Sequence, residues 1–269
     1  MSQNKIRILI PTSDRKRGGG DENLRFTEAQ DEREWNRYPS LSPARHEAVR
    51  VFLSAINGQG HAAEVLRLSG VKLDETASLN LRFPNGALLP VEARESGPLF
   101  RALEPSTLEE SARKRMREEL MILCPLLGLL APTDLVPEYR CPVGAQIPGW
   151  EHGSMHAFWK DRLGPVLNRL CRGRRVFSFL PNRMRALWTP SSNVEEVVTI
   201  QFATRRPGGA LRIENAGAGK LAGSMVRAIL SEGLEDLTKL QGWTSPAGHA
   251  FSAAHSDRED GRWNMMFLR

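Results

Sequence analysis

The stretch PTSDRKRGGG, residues 11–20, brings together side chains that could bind an anion. It follows the apolar run KIRILI, residues 5–10, which predicts a buried strand. Ser13 and Lys16 would present a hydroxyl and an ammonium group just beyond that strand. The stretch is not a nucleotide-binding P-loop, because its glycines follow the lysine and no Lys-Ser/Thr pair closes it. We expect either an anion site at Ser13 and Lys16 or a basic connector.

A second glycine-rich stretch, NAGAGKLAGSMVRAIL (residues 215–230), leads into a predicted helix. Backbone N–H groups at a helix N-terminus attract anions. Asn215, Lys220 and Arg227 could add polar contacts to a phosphate held there. The alternative is an ordinary flexible turn before the helix.

The tetrapeptide NGQG, residues 57–60, separates two helical patterns at 42–56 and 61–68. Helix, glycine turn and helix form the outline of a helix-hairpin-helix element. In that element, backbone N–H groups around Asn57, Gly58 and Gly60 would approach a DNA phosphate without contacting bases. Many helical hairpins also use glycine simply to turn, so a structural role stays open.

The EHGSMH segment places Glu151, His152 and His156 close together. Two histidines four residues apart on a helix can bind a transition metal. Gly153 argues against a helix here, and no third ligand is near in sequence. We therefore predict no metal site and no cofactor, and we keep a metal- or heme-binding protein only as a further alternative.

The composition is that of an ordinary globular protein, with 41% apolar and 25% charged residues in a chain of 269. Lys and Arg exceed Asp and Glu by 37 to 31, which favours an anionic partner or simply a basic surface. Three widely spaced cysteines form no disulfide framework or zinc pair. No signal peptide or run of about 18 apolar residues is present. We expect a cytoplasmic monomer with no membrane association.

Helical and strand patterns alternate irregularly along the chain, without repeats. This predicts an α/β (mixed α+β) fold: one compact domain, 1–269, with a central mixed sheet surrounded by helices. Residues 12–40 are expected to form a long, partly mobile loop. A capping box at Ser106 or Thr107, followed by Glu109 or Glu110, predicts a helix start. Residues 121–130 are predicted as a buried strand and turn, further strands at 175–180, 194–204 and 262–268, and helices at 106–120, 156–170 and 220–232.

Several of these signals coincide with a known family pattern. The segment LLGLLAPTDLVPEYRCPVG, residues 126–144, resembles a sequence block of the peroxide stress protein YaaA family (UPF0246 or DUF328). The matching residues of this block are Gly128, Pro132, Asp134, Pro137, Tyr139, Arg140 and Gly144. Further matches are Ser13 and Lys16 in PTSDRK, Trp159, Asp161 and Asn168 in FWKDRLGPVLN, Trp188 and Pro190 in ALWTP, and Lys220, Gly223 and Arg227 in GKLAGSMVRAIL.

The resemblance implies a mixed α/β fold with a helix-hairpin-helix element and a positively charged groove. It also implies a link to limiting free iron and DNA damage under peroxide stress, and some members bind DNA. The chain departs from the pattern at Leu127, Pro181, Met184 and Gly219, and ESGPLFRAL (95–103) lacks the family's tyrosine. These departures indicate a diverged member.

Two functional hypotheses follow. The first is a protein whose basic groove binds nucleic acid or a phosphorylated ligand, with a role in oxidative-stress protection. The second is an enzyme acting on a nucleotide or other phosphorylated metabolite in a specialised biosynthetic pathway. In that enzyme Ser13, Lys16 and Asp134 would be catalytic, with Asp134 as a general base or as a hydrogen-bond partner of a ribose. Arg140, Tyr139 and Lys220 would bind the ligand.

The competing structural explanation concerns the same family block. Asp134, Tyr139 and Arg140 would then only hold the Pro-rich segment in place through buried hydrogen bonds and an ion pair.

Overall fold

A mixed β-sheet flanked by helices forms the centre of the molecule, as the sequence predicts. The computed structural model describes residues 6–31, 35–58, 60–214 and 218–269. The strands are β1 (Ile6–Pro11), β2 (Leu89–Pro90), β3 (Leu120–Cys124), β4 (Gly128–Leu130), β5 (Leu135–Val136), β6 (Arg175–Ser178), β7 (Glu196–Arg205), β8 (Leu211–Ile213), β9 (Ala250–Phe251), β10 (Asp257–Glu259) and β11 (Arg262–Leu268).

The helices pack around this sheet. They are α1 (Phe26–Asp31), α2 (Ser42–Ile56), α3 (Ala62–Leu66), α4 (Val71–Leu81), α5 (Val91–Arg94), α6 (Pro98–Leu103), α7 (Glu110–Glu119), α8 (Met155–Leu170), α9 (Asn182–Arg185), α10 (Ala218–Glu232) and α11 (Leu237–Gln241). Short 3₁₀ turns occur at Pro39–Leu41, Phe83–Asn85, Pro105–Thr107 and Ala253–His255. No helix in the described ranges is both long and apolar enough to cross a membrane.

The strand order of the main sheet is β10-β11-β7-β6-β1-β3-β4, with β8 added to β7 and β9 to β11. Strand β1 is parallel to both of its neighbours, β3 and β6. Its residue Ile8 lies opposite Leu120 of β3 and Phe177 of β6. The chain thus leaves β1 for β3 on one side and later returns to β6 on the other. Such a reversal is a topological switch point, where open α/β sheets bind ligands beyond the carboxyl ends of their strands.

The apolar pattern of β1 reflects its central position. Ile8, Leu9 and Ile10 are all fully buried, which requires both faces of the strand to be covered. Strand β3 is buried along its whole length in the same way. The predicted first strand is therefore confirmed, and its carboxyl end delivers the following polar turn to the edge of the sheet.

Helix α2 has the predicted bounds. Leu41 occupies its N-cap position, and no side chain caps the helix there. The Ser42 hydroxyl instead accepts a hydrogen bond from Asn36 at 2.8 Å and donates one to the Gln30 carbonyl at 3.2 Å. This serine ties the helix to the preceding segment.

Residues 12–40 differ from the long loop expected from the sequence. The segment contains α1, whose Phe26 and Ala29 are buried in the core. Backbone bonds also join Arg17 N–H to Arg94 O at 2.7 Å and Asp21 N–H to Leu88 O at 2.9 Å. The polar composition concealed these contacts because they are made by the backbone. Residues 32–34 lie outside the described residues.

The predicted capping box at 106–110 is wrong. Glu104 ends α6 in a left-handed conformation, and Pro105 then starts a 3₁₀ turn that uses Ser106 and Thr107. The Thr107 hydroxyl donates to the Glu104 carbonyl at 3.1 Å, so it caps nothing downstream. Helix α7 begins only at Glu110, because the proline fixes the backbone of the preceding turn.

Candidate functional site

Ser13 and Lys16 meet at a buried carboxylate, Glu95. The Ser13 hydroxyl donates to Glu95 Oε2 at 2.5 Å, and the Ser13 N–H donates to the same oxygen at 2.7 Å. Lys16 Nζ lies 3.4 Å from Glu95 Oε1, and the two side chains are 4% and 0% exposed. Lys16 also donates to the Ser13 carbonyl at 2.8 Å. These three residues are called the Ser-Lys-Glu cluster. The cluster lies at the end of β1 and contains one ion pair, between Lys16 and Glu95.

Two chain segments must approach closely to build this cluster. Glu95 follows α5, and backbone bridges pair Lys16 with Glu95 and Ser96 N–H with Arg15 O. Gly97 makes the approach possible, because a Cβ atom there would collide with the Ser13 side chain. Its N–H donates to Ser13 Oγ at 3.2 Å, which further fixes the hydroxyl.

The ring of Tyr139 packs against Lys16 of the cluster. Lys16 Nζ lies 4.4 Å from the centre of the Tyr139 ring, a cation–π contact. The Tyr139 hydroxyl lies 2.9 Å from Cys124 Sγ, and burial raises the pKa of both groups, so both are neutral. Tyr139 was predicted to bind ligand, and the structure places it fully buried beneath Lys16, where it positions the ammonium group.

A basic groove adjoins the cluster. It is a cavity of about 740 Å³ whose charged lining consists of Arg15, Arg17, Arg101, Arg113, Arg117, Glu92, Glu95 and Glu104. Arg117 binds Glu92 at 2.7 Å, and Glu95 belongs to the cluster.

The remaining arginines of this basic groove give it a positive excess. Across the described ranges, Arg15, Arg17 and Arg101 make no ion pair, and Arg113 Nε is buried without a hydrogen-bond partner. An anion would find unpaired guanidinium groups in this groove.

Asp134 lies in a different buried network. It accepts the N–H groups of Arg37 at 2.8 Å and Ala131 at 3.0 Å, and its Oδ2 lies 3.6 Å from Arg45. Burial raises the pKa of Asp134, against the opposing pull of Arg45 and the two N–H groups. The structure thus shows Asp134 as a buried acceptor that joins chain segments, in line with the structural explanation for this residue.

Comparison with known proteins assigns the chain to a family. The family described as "Peroxide stress protein YaaA" matches residues 6–255. The chain belongs to the YaaA family. The resemblance inferred from the sequence motifs is therefore confirmed over nearly the whole chain.

The curated relatives of this YaaA family chain are UPF0246 proteins. One from Ruegeria sp. (strain TM1040) is 30% identical over 164 residues, 60% of this chain and 64% of that protein. One from Streptomyces coelicolor is 28% identical over 157 residues, 58% of this chain and 59% of that protein. One from Alteromonas mediterranea is 28% identical over 206 residues, 73% and 78% of the two chains. The chain thus spans about three-fifths of the first two relatives.

The other predicted phosphate-binding residues of the YaaA pattern do not all join the cluster. Arg140 bonds through its backbone to the Asn80 side chain, at 2.8 and 2.9 Å. Lys220 is exposed in the first turn of α10. Arg227 donates to three carbonyl groups at and just beyond the end of α6, those of Leu103, Glu104 and Thr107. Arg227 therefore braces one wall of the basic groove. Asn215 lies outside the described residues.

The predicted hairpin is an exposed turn between α2 and the short helix α3. Asn57, Gly58 and Gly60 are exposed, and both glycines have positive φ, 81° and 72°. The hairpin sequence carries no Lys or Arg from Asn57 to Val65. DNA binding by this element stays a prediction. Gln59 lies outside the described residues.

The histidine segment brings together a different trio from the one considered in the sequence. Ligand atoms of Glu47, Glu151 and His152 lie within 4.8 Å of one another. His156 is not among them, and burial lowers its pKa.

Sequence reasoning missed Glu95 and Arg45. Glu95 gave no signal, because a single glutamate in a loop is common. Arg45 did give one: it lies three and four residues before Ala48 and Val49, on the apolar face of α2. A charged residue on such a face is buried only when it is paired.

Proposed function

We propose that this chain binds the phosphate groups of nucleic acid in its basic groove and, as a YaaA family member, contributes to protection against peroxide stress. The observation that carries the proposal is the set of guanidinium groups there that make no ion pair across the described residues: Arg15, Arg17 and Arg101. Arg15, Arg17 and Arg101 are exposed and therefore accessible to a large polyanion.

Electrostatics support a backbone-directed mode of binding. Phosphate contacts from Arg and Lys provide affinity without reading sequence. The net charge of +6 favours association with a polyanion. The groove carries five arginines and three glutamates, and all three glutamates are already paired with a Lys or Arg.

The test is fluorescence anisotropy with a labelled DNA duplex between about 50 and 200 mM salt. Replacing Arg15, Arg17 and Arg101 by Gln should weaken binding and lower the slope of log K against log salt by about 0.9 for each lost phosphate contact. Arg212→Gln, at an exposed arginine on β8, is the matched control for each single replacement. No affinity at the lowest salt, or an equal loss in the control, would refute the proposal.

A separate variant tests the hairpin. Gly58→Asn introduces a residue that tolerates the positive φ at this position. It also adds a side chain where a phosphate would approach. If this variant abolishes binding while the arginine variants do not, the hairpin and not the groove carries the interaction.

The Ser-Lys-Glu cluster favours a second candidate function, an enzyme acting on a phosphorylated metabolite. Glu95 could accept a proton from the Ser13 hydroxyl, and Lys16 could stabilise negative charge. The test is phosphate release from a panel of nucleotides and sugar phosphates. Ser13→Ala should abolish release, and Asp134→Asn, in the separate network, tests the role predicted for that residue. Absence of release across the panel contradicts this function.

A further inference from the structure

Two cavities meet at Arg185, at the carboxyl end of the parallel strands. The switch-point cavity, about 640 Å³, is lined by Pro11 at the end of β1, Phe179 after β6, Ile200 of β7 and Ala218 of α10. The polar cleft, about 440 Å³, is lined on the sheet by Ser178, Thr199, Gln201 and Asn264, and by Trp188. Both cavities share Leu180, Arg185 and Gln201 as lining residues.

The cavities meet where the sheet is split along one edge of β7. Strand β11 pairs with one edge from Val197 to Ala203, so β6 and β8 must share the other. Strand β6 ends where Ser178 lies opposite Thr199, and β8 begins pairing only at Ala203. Ile200 and Gln201 lie in the gap between these two strand ends. Gln201 can therefore be reached from both cavities.

Polar groups at this split have no partner. Ser178 and Thr199 are 3% and 9% exposed, and neither hydroxyl makes a hydrogen bond with any described residue. Arg185 donates to Asn182 Oδ1 but has no carboxylate partner in the described ranges. Ser178 and Thr199 are buried and Arg185 is half-buried, and all three line the polar cleft, where a bound ligand would complete their hydrogen bonds.

The rest of the cleft determines which ligand fits. Asn264 donates to Asp257 at 2.8 Å, and Glu214 of the switch-point cavity accepts from Thr204 at 2.6 Å, so each lining carboxylate already has a hydrogen-bond donor. The Trp188 N–H donates to Asn168 at 2.8 Å, so its indole is fixed and offers an apolar wall. Hydroxyl and amide groups both donate and accept, and ligand hydroxyls match that pattern. Arg185 supplies the charge that an anionic group would need.

We propose that the switch-point cavity and the polar cleft form one binding site for a small polyhydroxylated anion, a sugar phosphate or a sugar acid. Its anionic group lies against Arg185, and its hydroxyls bond to Ser178 and Thr199 in the split beside β7. The site is separate from the basic groove and does not depend on nucleic-acid binding.

Isothermal titration calorimetry tests the site with ribose 5-phosphate and gluconate, and with ribose and inorganic phosphate as the separate halves. At least one hydroxylated anion should bind about tenfold more tightly than either half. The preferred anion distinguishes a sugar phosphate from a sugar acid. Arg185→Gln should weaken its binding at least about tenfold, because a charge-assisted hydrogen bond is lost. Thr199→Val, which is nearly isosteric, should weaken it about threefold or more.

Two controls make the result decisive. Arg206→Gln removes an exposed charge elsewhere, and Arg101→Gln alters only the basic groove; both should leave the affinity unchanged. Thermal unfolding checks each variant, and Ser178→Ala replaces Arg185→Gln if the latter does not fold. The proposal is overturned if both hydroxylated anions bind no more tightly than inorganic phosphate. It is equally overturned if Thr199→Val and Ser178→Ala have no effect, or if Arg101→Gln abolishes binding.

Discussion

At the scale of single residues, Arg45 is a buried charge with several hydrogen-bond partners. Its guanidinium is fully buried and donates to Gln30, Asn36 and the carbonyl groups of Leu127 and Leu129, with Asp134 nearby. Burial lowers the pKa of Arg45, and Asp134 partly restores it. One side chain thus joins α2, the segment before it and the β3–β4 hairpin.

Replacing this arginine should be strongly destabilising. Arg45→Met leaves Asp134 as an unpaired buried carboxylate, and we expect a loss of about 3–5 kcal/mol in the free energy of unfolding. Urea unfolding monitored by circular dichroism provides the measurement. The double variant Arg45→Met/Asp134→Asn should lose less than the sum of the two single variants, because they share one interaction. Strict additivity would show that the pair is not coupled.

The residues of the candidate site differ in how far the sequence predicts them. Ser13 and Lys16 stood out because they lie close together after a strand. Glu95 did not, since it is 82 residues from Ser13 in the chain and joins it only through folding. Asp134 shares a sequence block with Tyr139, yet the structure directs the two side chains to different partners. Membership of one sequence block therefore predicts that two residues are close along the backbone. It does not predict that their side chains belong to the same site.

At the scale of elements, the crossing of α6 and α10 depends on one glycine. A Cβ atom at Gly223 would collide with the Leu99 carbonyl, whereas at Gly219 the nearest atoms, of Leu99 and Pro98, would be 3.4 Å away. The helices can touch at Gly223 because no side chain separates them. Arg227 then reaches across the same contact to the carbonyl groups that follow α6.

This difference gives a matched pair of substitutions in one helix. Gly223→Ala should destabilise the protein by about 1–3 kcal/mol, because overpacking outweighs the gain in helix propensity. Gly219→Ala should be neutral or stabilise by up to about 1 kcal/mol, because the added methyl group meets ordinary contacts. Thermal and urea unfolding of both variants measure the difference. Equal effects at the two positions would contradict the packing argument.

Elements with a strong apolar period were predicted well, and those set by backbone geometry were not. The strand at β11 and the helix at α2 have the expected bounds because apolar spacing defines them. Helix α1 and the start of α7 were missed, since the first lies in a polar segment and the second follows a proline-led turn. The split beside β7 was also unpredictable, because it arises from where β6 and β8 end.

At the scale of the whole molecule, the sheet topology gathers both proposed sites at one edge. Strand β1 ends at Pro11, which lines the switch-point cavity, and the next residues lead to the Ser-Lys-Glu cluster and the basic groove. Carboxyl ends of neighbouring parallel strands share one edge, so a reversal in strand order leaves space there. Gly97 and Gly223 then bring the segment from α5 to α6 against this edge.

The burial of the three cysteine thiols predicts how the molecule responds to peroxide. Cys124, Cys141 and Cys171 are all buried, and burial raises their pKa, in Cys171 to about 12. The thiolate is the form that peroxide oxidises, so these thiols should be inert in the folded protein.

A thiol-specific disulfide reagent should label no cysteine in the native protein and all three after unfolding in urea, before and after exposure to peroxide. Raising the pH to about 9, where an exposed thiol is mostly ionised, should not change the native result, because the pKa values lie higher. Rapid labelling of any one thiol in the native protein would contradict this.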